Sequence, residues 1–377
     1  MDQSPESGTP EYQGIRALQD LLGDGWTLTE RRGQYSEGYG TFYTLEPTGD
    51  PSAAAHLYLE QVRSVTPREV ETVLAPQAHL LRHLVVDTTM VVIAPWLSTK
   101  TQYMLRENGI GYVDLTGNIG LRISRPAVFI HTVGALRSPQ PLSRNKAKAT
   151  LAGPKAGRLI RLLADVRPPY RASQLAEVAS LSLPYVSRLL DTLEEQLLIR
   201  RSGRVIKTVD WPGLLRARAA ETSLLRPDSY HGMVAPNGIE SVLRRLPELP
   251  AHEWDGLAVT GPVAARRFAP LAVGGQLMLY VASHLAIDED LEDALGLLPT
   301  SEHADVILLR PSDDVVFERL RQVDAHQEVA VTQLVLDCLS GPGRMPAEGE
   351  AVIKEMSLQE GAWRASDISD LRPTSLL

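Results

Sequence analysis

The stretch from residue 155 to 211 constrains the fold most, because three helical patterns, with a turn between the second and the third, are followed by a hairpin within it. Its first helix carries an apolar face, and the prolines at 168 and 169 end the helix. This face is formed by Leu159, Ile160, Leu162 and Leu163. A short helix follows, with Ser173 predicted as its N-cap.

The longer helix after the turn, predicted to be capped by Ser182, has a single apolar stripe. Its apolar residues recur at i, i+3, i+4, i+7 and i+11, which places them on one face. They are Val186, Leu189, Leu190, Leu193 and Leu197. Residues 198–201 and 204–208 then form a hairpin around a Ser202-Gly203 turn. This order predicts a winged helix-turn-helix.

The face of this helix opposite the stripe is free to contact a ligand. In such domains the N-terminal residues of the second helix reach base edges in the major groove, while wing residues contact the backbone or minor groove. The contacts predicted on the helices are Ser173, Pro184, Tyr185, Ser187, Arg188 and Thr192. Those predicted on the wing are Arg200, Arg201, Arg204 and Lys207.

Positive charge is concentrated in the same part of the chain. Residues 137–207 contain 14 Lys and Arg against five Asp and Glu, whereas the whole chain has a formal charge of −8. Phosphate contacts supply most non-specific affinity, so this segment predicts double-stranded DNA as a partner. A three-helix packing unit that binds no nucleic acid is the alternative, and the charge distribution argues against it.

Residues 137–154 are rich in Pro, Ser, Lys and Arg and lack periodicity, which predicts a linker. Its Arg144, Lys146 and Lys148 are predicted to lie along the DNA backbone. The alternative, a solvated linker that does not contact DNA, is equally consistent with the sequence.

Helical and strand-like segments alternate on both sides of this central region, which predicts α/β domains. The predicted organisation is an N-terminal α/β domain at 14–136, the basic linker at 137–154, the winged helix-turn-helix at 155–218 and a C-terminal α/β domain at 237–377. The apolar run at 88–97 predicts a strand buried on both faces, and residues 226–236 are expected to form a loop.

Composition limits the class of protein. The chain has 377 residues, 44% hydrophobic and 22% charged, as expected for a globular protein of two or three domains. It has neither an apolar run long enough to span a bilayer nor an N-terminal signal pattern, so no membrane partner and a cytoplasmic location are expected. The single cysteine, Cys338, is expected to be a buried small hydrophobe.

The phrase APWLSTKTQYMLRENGIGYVDLTGNIGLRI, placed before a winged helix, resembles actinobacterial winged helix-turn-helix regulators that are compared with AbiEi-type antitoxins. The resemblance implies a restriction-endonuclease-like PD-(D/E)xK fold for the N-terminal domain. It also implies an antitoxin with a cognate toxin as an alternative function. The C-terminal half of the same group resembles nucleotidyltransferases.

Catalytic motifs of both folds are incomplete. A nuclease of the first kind needs two carboxylates and a lysine around a divalent metal, but here Glu60 is followed by Val62 in the lysine position, and the preceding strand offers only Glu46. In the C-terminal half Thr260-Gly261 is not followed by aspartates. No catalytic residue, metal or cofactor is therefore predicted, and a metal-dependent nuclease is the alternative.

Two further groups of polar residues are interpreted as structural. Asp114 and Asn118 flank a turn, where aspartate is common because its side chain bonds the local backbone. Four histidines lack cysteine partners and are predicted to be solvated or singly hydrogen-bonded. They are His56, His79, His83 and His131.

The sequence thus predicts a sequence-specific DNA-binding transcriptional regulator. Its winged helix would lie in the major groove, with linker and wing on the backbone. The flanking domains would serve assembly as a homodimer, partner binding, or sensing of a small-molecule or nucleic-acid signal.

Overall fold

The computed structural model describes residues 9–31, 40–85, 87–136, 139, 149–268 and 275–371. It is a mixed α/β structure with a helix-turn-helix in its middle. The chain divides into two compact units, residues 1–148 with 195–197, and residues 149–194 with 198–377. Within the described ranges no helix is both long and apolar enough to cross a membrane. The domain boundaries predicted from the sequence, at 14–136, 137–154, 155–218 and 237–377, remain predictions.

A seven-stranded sheet whose strand order follows the chain forms the centre of the first unit. Its strands are β1 (Trp26–Glu30), β2 (Gly40–Pro47), β3 (Ala55–Gln61), β4 (Thr88–Ala94), β5 (Gly111–Asp114), β6 (Ile119–Ile123) and β7 (Val128–Thr132). Its helices are α1 (Pro10–Leu22), α2 (Pro67–Glu69), a π-helical turn (Val70–Leu74), α3 (Ala75–Leu84) and α4 (Thr99–Glu107). Strands β3, β4 and β5 are parallel, and the outer pairs are antiparallel.

Strand β4 is buried on both faces, as its continuous apolar run predicts. Val91 and Ile93 belong to the hydrophobic cluster that also contains Leu18 of α1. Met90 and Val92 belong to the opposite cluster, which is completed by the helices after β3 and β4. Side chains alternate across a strand, so the first unit has three layers with the sheet in the middle.

The second unit begins with the winged helix-turn-helix. Its elements are α5 (Pro154–Asp165), β8 (Tyr170–Arg171), α6 (Ala172–Val178), α7 (Leu183–Glu195), β9 (Ile199–Ser202) and β10 (Val205–Val209). The three strands form one small sheet in the order β8-β10-β9. Helix α8 (Trp211–Ala220) follows directly.

The rest of the second unit is a larger α/β arrangement. Its strands are β11 (Tyr230–Val234), β12 (Leu257–Thr260), β13 (Leu277–Val281), β14 (Leu298–Pro299), β15 (Val306–Leu309), β16 (Arg321–Val323) and β17 (His326–Glu328). They form a sheet in the order β14-β11-β15-β13-β12-β17-β16. Its helices are α9 (Ile239–Arg245), α10 (Ala251–Trp254), α11 (Gly261–Ala265), α12 (Glu289–Leu295), α13 (Val331–Ser340), α14 (Met345–Leu358) and α15 (Glu360–Trp363).

The expectation of a loop at 226–236 is wrong. Residues Tyr230–Val234 form strand β11, which pairs with both β14 and β15. Met233 is the one buried residue of this strand, and the sequence YHGMV lacks the alternation of apolar and polar residues that usually indicates a strand. Its hydrogen-bonding partners lie more than 60 residues further along the chain, and a local pattern cannot reveal such pairing.

The winged helix and the C-terminal layers share one hydrophobic core. The same cluster holds Leu190 of α7, Trp211 of α8 and Leu334 of α13. The C-terminal end of α5 is also bound by Arg364, whose guanidinium donates to the carbonyl oxygens of Ala164 at 2.9 Å and Val166 at 2.8 Å. A cation is favourable at a helix C-terminus, so this contact joins α5 to the end of the chain.

Candidate nucleic-acid interface

Helix α7 is held by its apolar stripe and leaves the opposite face open. Val186, Leu189, Leu190 and Leu193 have no exposed surface in the structure. Because four buried side chains fix the rotation of the helix about its axis, its other face has a defined orientation. Pro184 and Arg188 are exposed on that face. The fifth predicted member of the stripe, Leu197, lies beyond the end of α7 and is half-buried.

The remaining residues predicted to contact bases on α7 are less accessible. Ser187 and Thr192 are half-buried, and the Thr192 hydroxyl donates to the carbonyl oxygen of Arg188 at 3.2 Å. Tyr185 is half-buried against the core, and burial raises the pKa of its hydroxyl, against the influence of Arg218 and Arg188. Arg188 is therefore the charged group at the N-terminal end of α7 that is best placed to reach a base edge.

Ser173 is exposed, but it does not cap α6. The helix begins at Ala172, so its N-cap is Arg171, and Ser173 lies within the first turn. The amide of Arg171 donates to Oε1 of Gln174 at 2.8 Å, which supplies the reciprocal contact of a capping box. Arg171 itself is exposed beside the wing, where it pairs with Val205. It is a candidate contact that the sequence analysis did not identify.

The wing is a short antiparallel hairpin with a tight turn. Ser202 pairs with Val205, and Gly203 in the turn has a φ of 59°, a left-handed conformation that glycine adopts at little cost. The register shifts between Ile206 and Thr208, so Lys207 lies in an irregularity of β10. The predicted hairpin is confirmed, but its turn lies one residue later than predicted, at Gly203 and Arg204, because Ser202 pairs with Val205 as the last residue of β9.

Arg201 joins the wing to the C-terminal half of α7. Its Nη2 lies 2.6 Å from Oδ1 of Asp191 and 2.6 Å from Oε2 of Glu194, and its Nε donates to the same Glu194 oxygen at 3.2 Å. Burial lowers the pKa of Arg201, but these hydrogen bonds outweigh it and raise the pKa overall. The charge is compensated inside the domain, so the structure gives Arg201 a part in orienting the wing. Its contact with DNA stays a prediction.

The other predicted basic contacts lie on the outside of the wing. Arg200, Arg204 and Lys207 are exposed. Within the described part of the chain, Arg204 and Lys207 form no ion pair, which leaves their charges available to phosphate groups. Arg144, Lys146 and Lys148 lie outside the described residues.

The carboxylates that the nuclease interpretation requires do not come together. Glu60 is opposite Gly40 in the pairing of β2 with β3, whereas Glu46 is six residues further along β2. At about 3.3 Å per residue this separates the two by roughly 20 Å, too far to bind one metal ion. Val62 packs against the hydrophobic cluster that lines the helices after β3.

Asp114 and Asn118 organise the turn between β5 and β6. The carboxylate of Asp114, 1% exposed, accepts from the amides of Leu97, Thr116 and Asn118 at 3.1, 2.9 and 3.0 Å, and also from the Thr116 hydroxyl and the Asn118 side chain. All its lone pairs are used locally, which confirms the structural interpretation.

The histidines and the cysteine lie at separate places in the structure. His79 and His83 lie one turn apart on α3 with their Nε2 atoms 3.1 Å apart, and Nε2 of His131 accepts from the guanidinium of Arg106 at 2.7 Å. Nδ1 of His56 is buried and has no hydrogen-bonding partner among the residues that the structure describes. Cys338 is fully buried, as expected, and burial raises the pKa of its thiol. Among the described residues there is no group of three or more metal-binding side chains.

Helices α5 to α7 and the β9–β10 hairpin define a winged helix-turn-helix. Residues 155–203 match the family model for the IclR helix-turn-helix domain. The protein thus carries an IclR-type DNA-binding domain, which supports a DNA-binding transcriptional regulator and DNA as its partner. The match gives no support to an antitoxin or a nuclease. Searches of curated proteins and of solved structures found no match to the chain.

Proposed function

We propose that this protein is a sequence-specific transcriptional regulator that reads an operator with the N-terminal end of α7. The observation that carries the proposal is the exposed Arg188 on a helix whose rotation is fixed by four fully buried leucine and valine side chains. An arginine in the major groove discriminates guanine by two hydrogen bonds. The wing, held against α7 through Arg201, would bring Arg204 and Lys207 to the flanking phosphates.

A selection from random double-stranded DNA tests this function. The wild-type protein is expected to enrich one sequence motif, whereas Arg188→Ala is expected to lose the preference for one base pair within it. Arg244→Ala, an exposed arginine on α9, is the matched control and should enrich the wild-type motif. Binding of all duplexes with equal affinity would refute sequence-specific recognition.

We propose that the first unit mediates assembly of a homodimer. Phe129 on the edge strand β7 is 77% exposed, and Val133 and Leu136 just after it are 71% and 73% exposed. An uncovered apolar sheet edge favours pairing with another chain. Light scattering should give twice the chain mass for the wild type and a lower mass for Phe129→Lys. Equal masses for both proteins would refute a dimer through this edge.

We further propose that the first unit has a restriction-endonuclease-like fold without nuclease activity. A sheet with parallel central strands and helices on both faces supports the fold, and the separation of Glu46 from Glu60 supports the lack of activity. Purified protein should not cleave single- or double-stranded DNA with Mg²⁺ or Mn²⁺ above background. Cleavage that disappears in Glu60→Ala would refute this proposal.

A further inference from the structure

A cavity of about 250 Å³ lies in the second unit beside the helices of the DNA-binding domain. It is lined by α5 and α8, by the segment after α8, by the ends of β13 and β15, and by α13. Ligand pockets for drug-sized molecules are roughly 300–1,000 Å³, so this cavity would suit a small metabolite.

Four arginines line the cavity, and none of them forms an ion pair with a residue in the described ranges. They are Arg161, Arg218, Arg226 and Arg310. Arg218 donates to the carbonyl oxygen of Gly153 at 3.1 Å, and Arg310 donates to that of Ala282 at 2.6 Å. Carbonyl dipoles solvate a guanidinium but leave its net charge in place.

Arg161 is the most deeply buried of the four. It is 1% exposed, and its guanidinium donates to the carbonyl oxygens of Val315 and Glu318. Its Nε is also buried and has no acceptor among the residues that the structure describes. Burial lowers the pKa of Arg161, which reflects the cost of holding a cation away from water. An anion in the cavity would reduce that cost.

The acidic residues around the cavity are engaged with other donors. Asp313 is paired with Arg158 at 2.9 Å, and Glu221 accepts from the amide of Leu151 at 2.8 Å. Asp337 accepts from three side chains at 2.7 to 2.9 Å, those of Thr260, Tyr280 and Gln333. These carboxylates form no ion pair with the four arginines, although Asp337 attracts Arg161 and Glu221 attracts Arg218 at longer range.

We propose that this cavity binds a small organic anion through a carboxylate or phosphate group, and that its occupancy alters DNA affinity. Arginine recognises both groups with planar pairs of N–H donors. Because α5 and α8 line the cavity and α5 is the first helix of the DNA-binding domain, a ligand contacts that domain directly. The regulatory part rests on the proposed DNA-binding function, whereas the anion site does not.

Thermal unfolding at constant pH tests the anion site without DNA. The probes are inorganic phosphate and succinate, each compared with chloride at equal ionic strength. A ligand that binds only the folded state raises the midpoint with concentration, so at least one probe should stabilise the wild type in a saturable manner. Stabilisation by phosphate alone or by succinate alone would distinguish the two anion sources.

Arg226→Gln and Arg161→Gln are the test variants, and Arg244→Gln is the control. Arg226 is exposed, so its variant should fold normally and show a weaker response, even if Arg161→Gln fails to fold. The control should respond as the wild type does. An equal response to the probes and to chloride, or an undiminished response in Arg226→Gln, would overturn the site.

Fluorescence anisotropy with an operator duplex tests the regulatory part. The probe that stabilises the wild type should change operator affinity by about 5-fold or more, the usual lower range of allosteric coupling, and Arg226→Gln should show a smaller change. Stabilisation without any change in affinity would overturn regulation and leave the anion site intact. Failure to bind any duplex would instead refute the proposed function.

Discussion

Two groups of basic residues in the second unit face opposite environments. Arg188, Arg204 and Lys207 lie on the outside of the winged helix, whereas Arg161, Arg218 and Arg310 line the partly open cavity beside α5 and α8. Burial lowers the pKa of each of these three cavity arginines. In the functions proposed above, positive side chains attract DNA at long range in the first group and recognise a single anion closely in the second.

Several basic residues of the segment 137–207 do not face outward, contrary to the interpretation of this segment as a DNA-binding surface. Of its 14 basic residues, Arg158 is paired with Asp313, Arg161 is buried, and Arg201 is paired with Asp191 and Glu194. These three charges do not contribute to an outward surface. A local excess of positive charge thus overestimates the charge that faces DNA, although it correctly marks the DNA-binding domain.

The largest difference expected between the cavity arginines and the outward basic residues is in the effect of their substitution on the free energy of unfolding. Arg161→Ala removes two buried hydrogen bonds and leaves a void, and it should lower the free energy of unfolding by roughly 3 kcal/mol. Arg188→Ala should unfold as the wild type does because its side chain is exposed. Urea denaturation measures both. An unchanged midpoint for Arg161→Ala would contradict a structural role for the buried guanidinium.

The next largest effect is a pH dependence of the free energy of unfolding, caused by Asp337 beside the cavity arginines. Burial raises the pKa of Asp337 to about 6, against the opposing hydrogen bonds from Thr260, Tyr280 and Gln333. The folded state thus binds this proton more tightly than the unfolded state, so the contribution of Asp337 to stability is complete below about pH 4 and is lost as the pH rises through about 6.

Comparing urea unfolding of the wild type with Asp337→Asn between pH 4 and 7 isolates this contribution. The stability of the wild type relative to the variant should fall with rising pH by on the order of 2 kcal/mol. A relative stability that stays constant or increases over this range would show that Asp337 is not protonated in the folded protein.

On the outward side, Arg188→Ala should weaken operator binding by about 1–3 kcal/mol and relax selectivity at one base pair. Mobility-shift titrations with the operator and with single-base variants of it measure both quantities. Wild-type affinity and selectivity would exclude Arg188 from the reading face of α7.

The smallest effect distinguishes two arginines of the wing. Arg204→Ala should reduce the slope of log affinity against log salt concentration by about one unit, since one phosphate contact is lost. Arg201→Ala should leave this slope nearly unchanged and cost up to about 1 kcal/mol of stability, because its guanidinium pairs with Asp191 and Glu194. The reverse pattern would place Arg201 on the DNA and Arg204 away from it.

Local periodicity predicted much of the fold. The apolar stripe of α7, the hairpin of the wing and the doubly buried strand β4 all have patterns that depend on neighbouring residues. Strand β11 and the contacts of Arg201 depend on partners that the sequence alone does not place beside them. The N-cap of α6 was misassigned to Ser173, because serine is a common cap and the sequence does not show the backbone turn at Arg171.

The candidate site was predicted less completely than the fold. A helical pattern shows which residues avoid the core, and Pro184 and Arg188 are indeed exposed. It does not show that Thr192 bonds the backbone of Arg188 or that Tyr185 packs inward. The cavity escapes sequence analysis altogether, since its lining comes from segments between residues 152 and 340.

The hydrophobic core that joins α7 and α8 to α13 has a consequence for exchange of domains between regulators. A fragment that ends near residue 218 would expose the faces of α5 and α8 that α13 and Arg364 cover. Such a fragment would lose apolar burial and aggregate, whereas DNA-binding domains on flexible tethers can be transplanted intact. New operator specificity would therefore have to arise by substitutions on the outer face of α7 within the whole second unit.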